Sequence, residues 1–174
     1  MKTLADLTGA TGLPVDAHLV LDLIIPVNDG LQAQGDLVVV PLAALAAKVS
    51  VPAGARWREV PPEGIELLRG GTGGNAHTLV ADPGTCVWTD TVADPTGLTI
   101  GVFEAMATAY LLHREHGGTG IAAGDYAVRR QREQAPEVRV PTRVAYSVEH
   151  RGTPRGVEAE RAARPQPRVR FVCD

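Results

Sequence analysis

The chemistry-bearing part of this chain is His113-Arg114-Glu115-His116, two imidazoles and a carboxylate within four residues. A neutral imidazole is a transition-metal ligand and a proton carrier near neutral pH, and a carboxylate beside it serves as ligand or general base. Two ligands from one short segment need completion from elsewhere. His77, just after the glycine-rich run Gly70–Gly74, is the nearest candidate in kind, while His18 and His150 stand alone. With three protein ligands (His77, His113, His116) and an open position, a bound zinc, iron, manganese or nickel ion would activate water. Glu115 would then act as catalytic base or as a further ligand. The other reading of the same residues is a hydrogen-bonded or solvated cluster with no metal.

Arginines supply a second motif. Arg129-Arg130-Gln131-Arg132-Glu133 would alternate faces as a strand, placing Arg130 and Arg132 together. Two guanidinium groups on one face grip a phosphate or carboxylate in fork geometry, so these two are the substrate-binding candidates. The bland reading is a charged edge strand that blocks aggregation. Other chemistries find little support. The glycine run lacks the Lys-Ser/Thr ending of a phosphate loop, and no Gly-x-Ser-x-Gly elbow occurs. Cys86 and Cys173 match no Cys-x-x-Cys pattern and read as two thiols of a reducing cytoplasm, with a single disulfide between them as the alternative.

The elements that must position these groups are short. Nineteen glycines and 13 prolines among 174 residues favour turns over long helices. Aromatics are only 4%, so a core must be built from Val, Leu, Ile and Ala. Leu19, Leu21, Leu23 and Ile25 fall at period two and predict a strand. Further strands are expected at Leu37–Val40, Ile65–Leu68, His77–Val80, Cys86–Trp88, Thr99–Phe103 and Tyr126–Val128, with one or two helical turns after Leu42. Residues 103–116 fit either a helix capped by Gly117-Gly118 or strands joined by tight turns. The surrounding strands and short connections favour the second.

These features describe a mainly β, single-domain antiparallel barrel or sandwich with short helical turns. Residues 1–16 form an N-terminal arm and residues 17–174 the domain, with a Pro/Arg-rich excursion at about 135–167. Roughly ten short strands fit this plan. A net charge of −3 argues against nucleic acid as a partner, despite the arginine-rich stretch from Arg129 onward. The most apolar window, His18–Val27, is too short to span a bilayer and is interrupted by Asp22, so a cytoplasmic protein is expected.

Several words resemble those of a group of small bacterial proteins without assigned activity: Gln34-Gly35-Asp36, Ala76-His77-Thr78-Leu79, His113-Arg114-Glu115-His116-Gly117, Gly124-Asp125-Tyr126 and Arg130-Gln131-Arg132-Glu133. In that pattern a second histidine often stands where this chain has Asn75, a poor transition-metal ligand. The resemblance implies kinship and no chemistry. At fold level the chain also resembles cupins, β-barrels that gather histidines and a carboxylate around a metal. Two functions follow as expectations. One is a histidine-centred pocket acting on a small molecule, with or without a metal. The other is a non-catalytic interaction or assembly protein docking through its arm and excursion onto a protein partner, a homo-oligomer included.

Overall fold

Eleven strands and one short helix are built from the described part of the chain, and strand pairing dictates where the histidines go. The computed structural model describes residues 1–69 and 75–131. Arg132, His150, Cys173, the glycine run 70–74 and the 135–167 excursion lie outside them. In chain order come α1 (Leu4–Thr11), β1 (Val27–Asn28), β2 (Gln32–Gln34), β3 (Leu37–Pro41), a single 3-10 turn (Leu42–Leu45), β4 (Arg58–Glu59), β5 (Ile65–Arg69), β6 (Ala76–Val80), β7 (Cys86–Thr89), β8 (Thr99–Ala105), β9 (Ala109–His113), β10 (Gly117–Ile121) and β11 (Gly124–Arg130).

The strands form two sheets, β1-β10-β9-β6-β5 and β2-β3-β11-β8-β7-β4. Neither closes on itself among the described residues, so the barrel alternative falls and the sandwich stands. Every pairing is antiparallel except β1 on β10, where Val27 lies beside Gly120. Residues 103–116 are strand, turn, strand and turn: β8 ends at Ala105, β9 spans Ala109–His113, and Arg114–His116 form the turn into β10.

Alternation along the strands sorts the side chains into two cores. Leu79, Leu111 and Ile121 from one sheet meet Leu37, Val39, Phe103, Tyr126 and Val128 from the other. The intervening residues Val80, Tyr110 and Leu112 point away and are covered by Leu4 and Leu7 of α1 with Ile25. The helix is short but doubly capped. Thr3 Oγ1 accepts from the Asp6 N–H, Asp6 Oδ2 accepts from the Thr3 N–H, and Gly12 closes the far end at φ 69°. Glycine is required at Gly101, where the indole of Trp88 lies so close that a β-carbon would overlap it.

One predicted strand is corrected. Leu19–Ile25 has the right alternation, yet only Ile24 makes a bridge, to Thr3, and only Ile25 is buried. The segment runs over α1 as irregular chain. Ala5 donates its N–H to Leu21 O and Ile25 to Lys2 O, so its polar backbone is satisfied by the helix region in place of a sheet.

Candidate functional site at the histidine end of the sandwich

Period two makes the site. Leu79 and Leu111 face the central core, so His77 and His113, each two residues along, face the same way at the open end of the sandwich. β6 and β9 pair through Thr78 and Leu112, and one step further His77 and His113 stack with ring centroids 4.3 Å apart. His116, carried round by the 114–116 turn, stacks with His113 at 4.5 Å and lies 6.5 Å from His77. The three metal-ligand candidates therefore do come together, as near-parallel rings and not as a convergent cage. Among the described residues, no three His, Cys, Asp or Glu side chains are grouped so that they could hold a metal ion.

Two residues not singled out as site residues by sequence complete the array. The two-residue turn Gly35-Asp36 joins β2 to β3 and brings Gln34 and Asp36 against His77. His77 Nε2 lies 2.8 Å from Asp36 Oδ1, and Nδ1 lies 3.3 Å from Gln34 Oε1. The Gln34 amide is oriented from its other side, since Nε2 donates to Leu111 O, Gly117 O and Thr119 Oγ1. Both His77 nitrogens thus face acceptors, which a singly protonated imidazole cannot satisfy together. Burial and the neighbouring His113 pull the His77 pKa down to about 4, against the pull of Asp36 in the other direction. His77 is therefore neutral at pH 7, and the shorter contact to Asp36 takes its single N–H.

His113 is occupied differently. Its Nδ1 accepts from the backbone N–H groups of Glu115 and His116 at 3.2 and 3.3 Å, which fixes the neutral proton on Nε2, on the side of the Asn75 backbone. Burial, and then the charge of His116, lower its pKa as well. This ring is a brace for the turn that presents Glu115 and His116. Asn75, where a second histidine was noted as absent, has a task of its own: Nδ2 donates to Glu115 Oε1 at 2.6 Å. The arm adds a clamp from outside, with Arg114 Nε donating to Asp16 Oδ1 at 2.9 Å and the Asp16 N–H to Arg114 O.

The groups left for a ligand lie at the rim. His116 is exposed and its ring makes no hydrogen bond among the described residues, Glu115 is exposed, and Asp36 is 21% exposed on its side chain. Arg130 ends β11 opposite Leu37 and is exposed, and the next residue, Gln131, donates its N–H to Asp36 O at 2.7 Å. Arg129 is committed elsewhere, to Thr96 and Asp94. Cys86 takes no part: it is a buried free thiol, pushed up to about 12 by desolvation. Among the described residues no helix is long and apolar enough to cross a membrane.

Gly35 is the residue on which the array turns. It has φ 57°, and a β-carbon would lie 2.8 Å from His116 Nε2 and 3.3 Å from His77 Cε1. Gly35→Ala is expected to cost about 1–2 kcal/mol in a urea unfolding curve, from left-handed backbone strain together with displacement of the exposed His116 ring. The imidazole resonances of His116 should shift the most.

The chain has no match among curated proteins and none among solved structures. Residues 33–131, from the Gln34 hairpin to the end of β11 and thus every histidine-site residue named above, match the family described as a domain of unknown function, DUF8820, and the chain belongs to that family.

Proposed function

We propose that the histidine end of the sandwich is a binding site for a small polar molecule with an acidic group, equipped for acid–base chemistry. The observation that carries this is the convergence of three polar segments, Gln34–Asp36, Asn75–His77 and His113–His116, on positions where the inward alternation could have continued with leucine. Buried imidazoles cost desolvation that a leucine would not, and such a local departure from packing logic is characteristic of functional sites. In this reading His116 and Glu115 touch the ligand, Arg130 holds its acidic group, and Asp36 links the rim to His77. His113 positions the turn. Arg132, the second arginine expected on that face, belongs to the same proposal by sequence alone.

A divalent transition metal remains the competing ligand, because imidazole and carboxylate donors suit zinc, iron, manganese or nickel. His116, Asp36 and Glu115 are not grouped closely enough to hold it as they stand and would have to move together, and His77 and His113 would have to exchange existing hydrogen bonds for coordination.

Nitrogen-detected NMR of the imidazoles separates the alternatives, using acetate, inorganic phosphate and Zn²⁺ as probes. A saturable shift of His116 with acetate or phosphate, weakened about tenfold or more in His116→Ala or Arg130→Ala, is the expected result. A response to Zn²⁺ alone would replace the acid-group reading by the metal one. Histidine signals indifferent to all three probes would overturn a ligand site here.

A further inference from the structure

Residues 13–24, which run over α1, carry a surface the histidine site does not use. Val20 is 66% exposed, Leu23 65% and Ile24 56%, with Leu21 and Leu13 also open to solvent. Isolated exposed leucines are ordinary, but here Val20, Leu23 and Ile24 border one cleft and Leu21 a second, with Leu19 common to both. Leu19 separates two shallow clefts. The first, about 150 Å³, is bordered by Leu23, Ile24, Pro26, Gly117 and, at its lip, His116. The second, about 290 Å³, is bordered by Pro14, Val15, Asp16 and Leu21. Both are too open to be core and too apolar to be left wet without a cost. The apolar residues 14–24 lie N-terminal to the matched family segment, while the cleft wall formed by His116 and Gly117 lies inside it.

Charge selects the occupant. Residues 3–31 contain four aspartates, Asp6, Asp16, Asp22 and Asp29, and no lysine or arginine. Asp16 is paired with Arg114, and Asp6 is held by Thr3 with the charges of Lys2 and the N-terminus acting on it, while Asp22 and Asp29 are exposed with no ion-pair partner among the described residues. A second copy placed face to face would bring like charges together, and an anionic lipid surface would be repelled in the same way. A partner segment with apolar side chains for the two clefts and lysine or arginine beside them satisfies both the apolar face and the aspartates.

We propose that the Leu13–Ile24 face is a docking site for a basic amphipathic segment of another protein. Its apolar residues enter the clefts on either side of Leu19, and its cations sit against Asp22 and its neighbours. The bound segment ends beside His116, so docking and the rim of the histidine site share one border.

The test uses the full chain and two labelled peptides, an amphipathic helix of leucine and lysine and its counterpart with glutamate for lysine. Fluorescence anisotropy should show saturable binding of the lysine peptide and none of the glutamate peptide. Leu23→Ser with Ile24→Ser should weaken it about tenfold or more, since anchors in apolar pockets carry most binding energy. Asp22→Asn alone should weaken it about threefold, and added salt should do the same. All three positions are exposed, so the variants should melt with the parent, and Asp22→Asn keeps the test valid if the double variant does not. Equal binding of both peptides, binding of neither, or a double variant that binds like the parent would overturn the proposal. So would light scattering that shows a dimer dispersed by Leu23→Ser, which assigns the face to a second copy, or retention on anionic vesicles, which assigns it to lipid.

Discussion

Asp94→Ala should remove about 3 kcal/mol of stability, measured as a shift of the urea midpoint with unchanged slope. The side chain is only 2% exposed, and its two oxygens gather an entire loop. Thr96 donates through its N–H and its hydroxyl at 2.8 and 2.7 Å, Thr99 through its N–H and hydroxyl at 2.9 and 2.7 Å, and Arg129 Nη2 stands at 3.5 Å. This knot delivers the chain into β8 at Thr99, and β8 pairs with both β7 and β11 near the middle of the larger sheet. Alanine would leave the two Thr99 donors and the guanidinium, whose Nε already lacks a partner, facing a gap. Burial alone would raise the carboxyl pKa, but the hydrogen bonds from Thr99 and Thr96 outweigh it and hold the group well below its ordinary 3.8. A carboxylate depressed on folding stabilises fully above its unfolded pKa, and that contribution is lost as pH falls below it. The parent and Asp94→Ala curves should therefore converge in strong acid, and a difference that persists unchanged at low pH would contradict the assignment.

Where the sequence was readable, the reason is a regular period with a partner waiting. Val38 and its neighbours, His77–Val80 and Tyr110–His113 alternate or run apolar, and each lies in a strand with neighbours on both sides. The same rule misled at Leu19–Ile25, because alternation records that one side is apolar and says nothing of whether a sheet edge is free to receive it. The meeting of His77 with His113–His116 followed from strands turning their odd positions inward, a local property that antiparallel pairing then made spatial. Gln34 and Asp36 were missed for the opposite reason. They form a plain turn word, Gln-Gly-Asp, and their value comes from a register between sheets that no local pattern encodes. The available signal was a glutamine at the inward end of a strand, where an apolar residue would be the default. By sequence Asn75 stands for a lost ligand. It is the partner of Glu115, and that pairing is visible only once β6 and the 114–116 turn are side by side.

Acidification tests the state of His77 directly. Its folded pKa of about 4 lies below the ordinary 6.5, so between these values the unfolded chain binds the proton that the folded chain refuses. Stability from this group is complete above about pH 6.5 and drains away as pH falls toward 4, a loss of about 3 kcal/mol. His113, shifted in the same direction, adds to the slope. In His77→Leu the slope between pH 7 and pH 4 should shrink to the part His113 and the carboxylates supply. At pH 7 the variant should be weaker by about 1–2 kcal/mol, because the 2.8 Å bond to Asp36 is gone. Urea unfolding at both pH values provides the measurement. A second variant, Asp36→Asn, isolates the electrostatic share. Without the carboxylate that favours the imidazolium, the His77 pKa should drop further, and the acid slope should steepen where the leucine variant flattens it. If instead the leucine variant loses stability more steeply than the parent between pH 7 and pH 4, the folded His77 pKa is raised and the ring is already protonated at neutral pH. The two acceptors around it, Asp36 and Gln34, would then have overridden the desolvation of the ring, and the site would hold an imidazolium–carboxylate pair where a neutral imidazole beside a carboxylate is inferred.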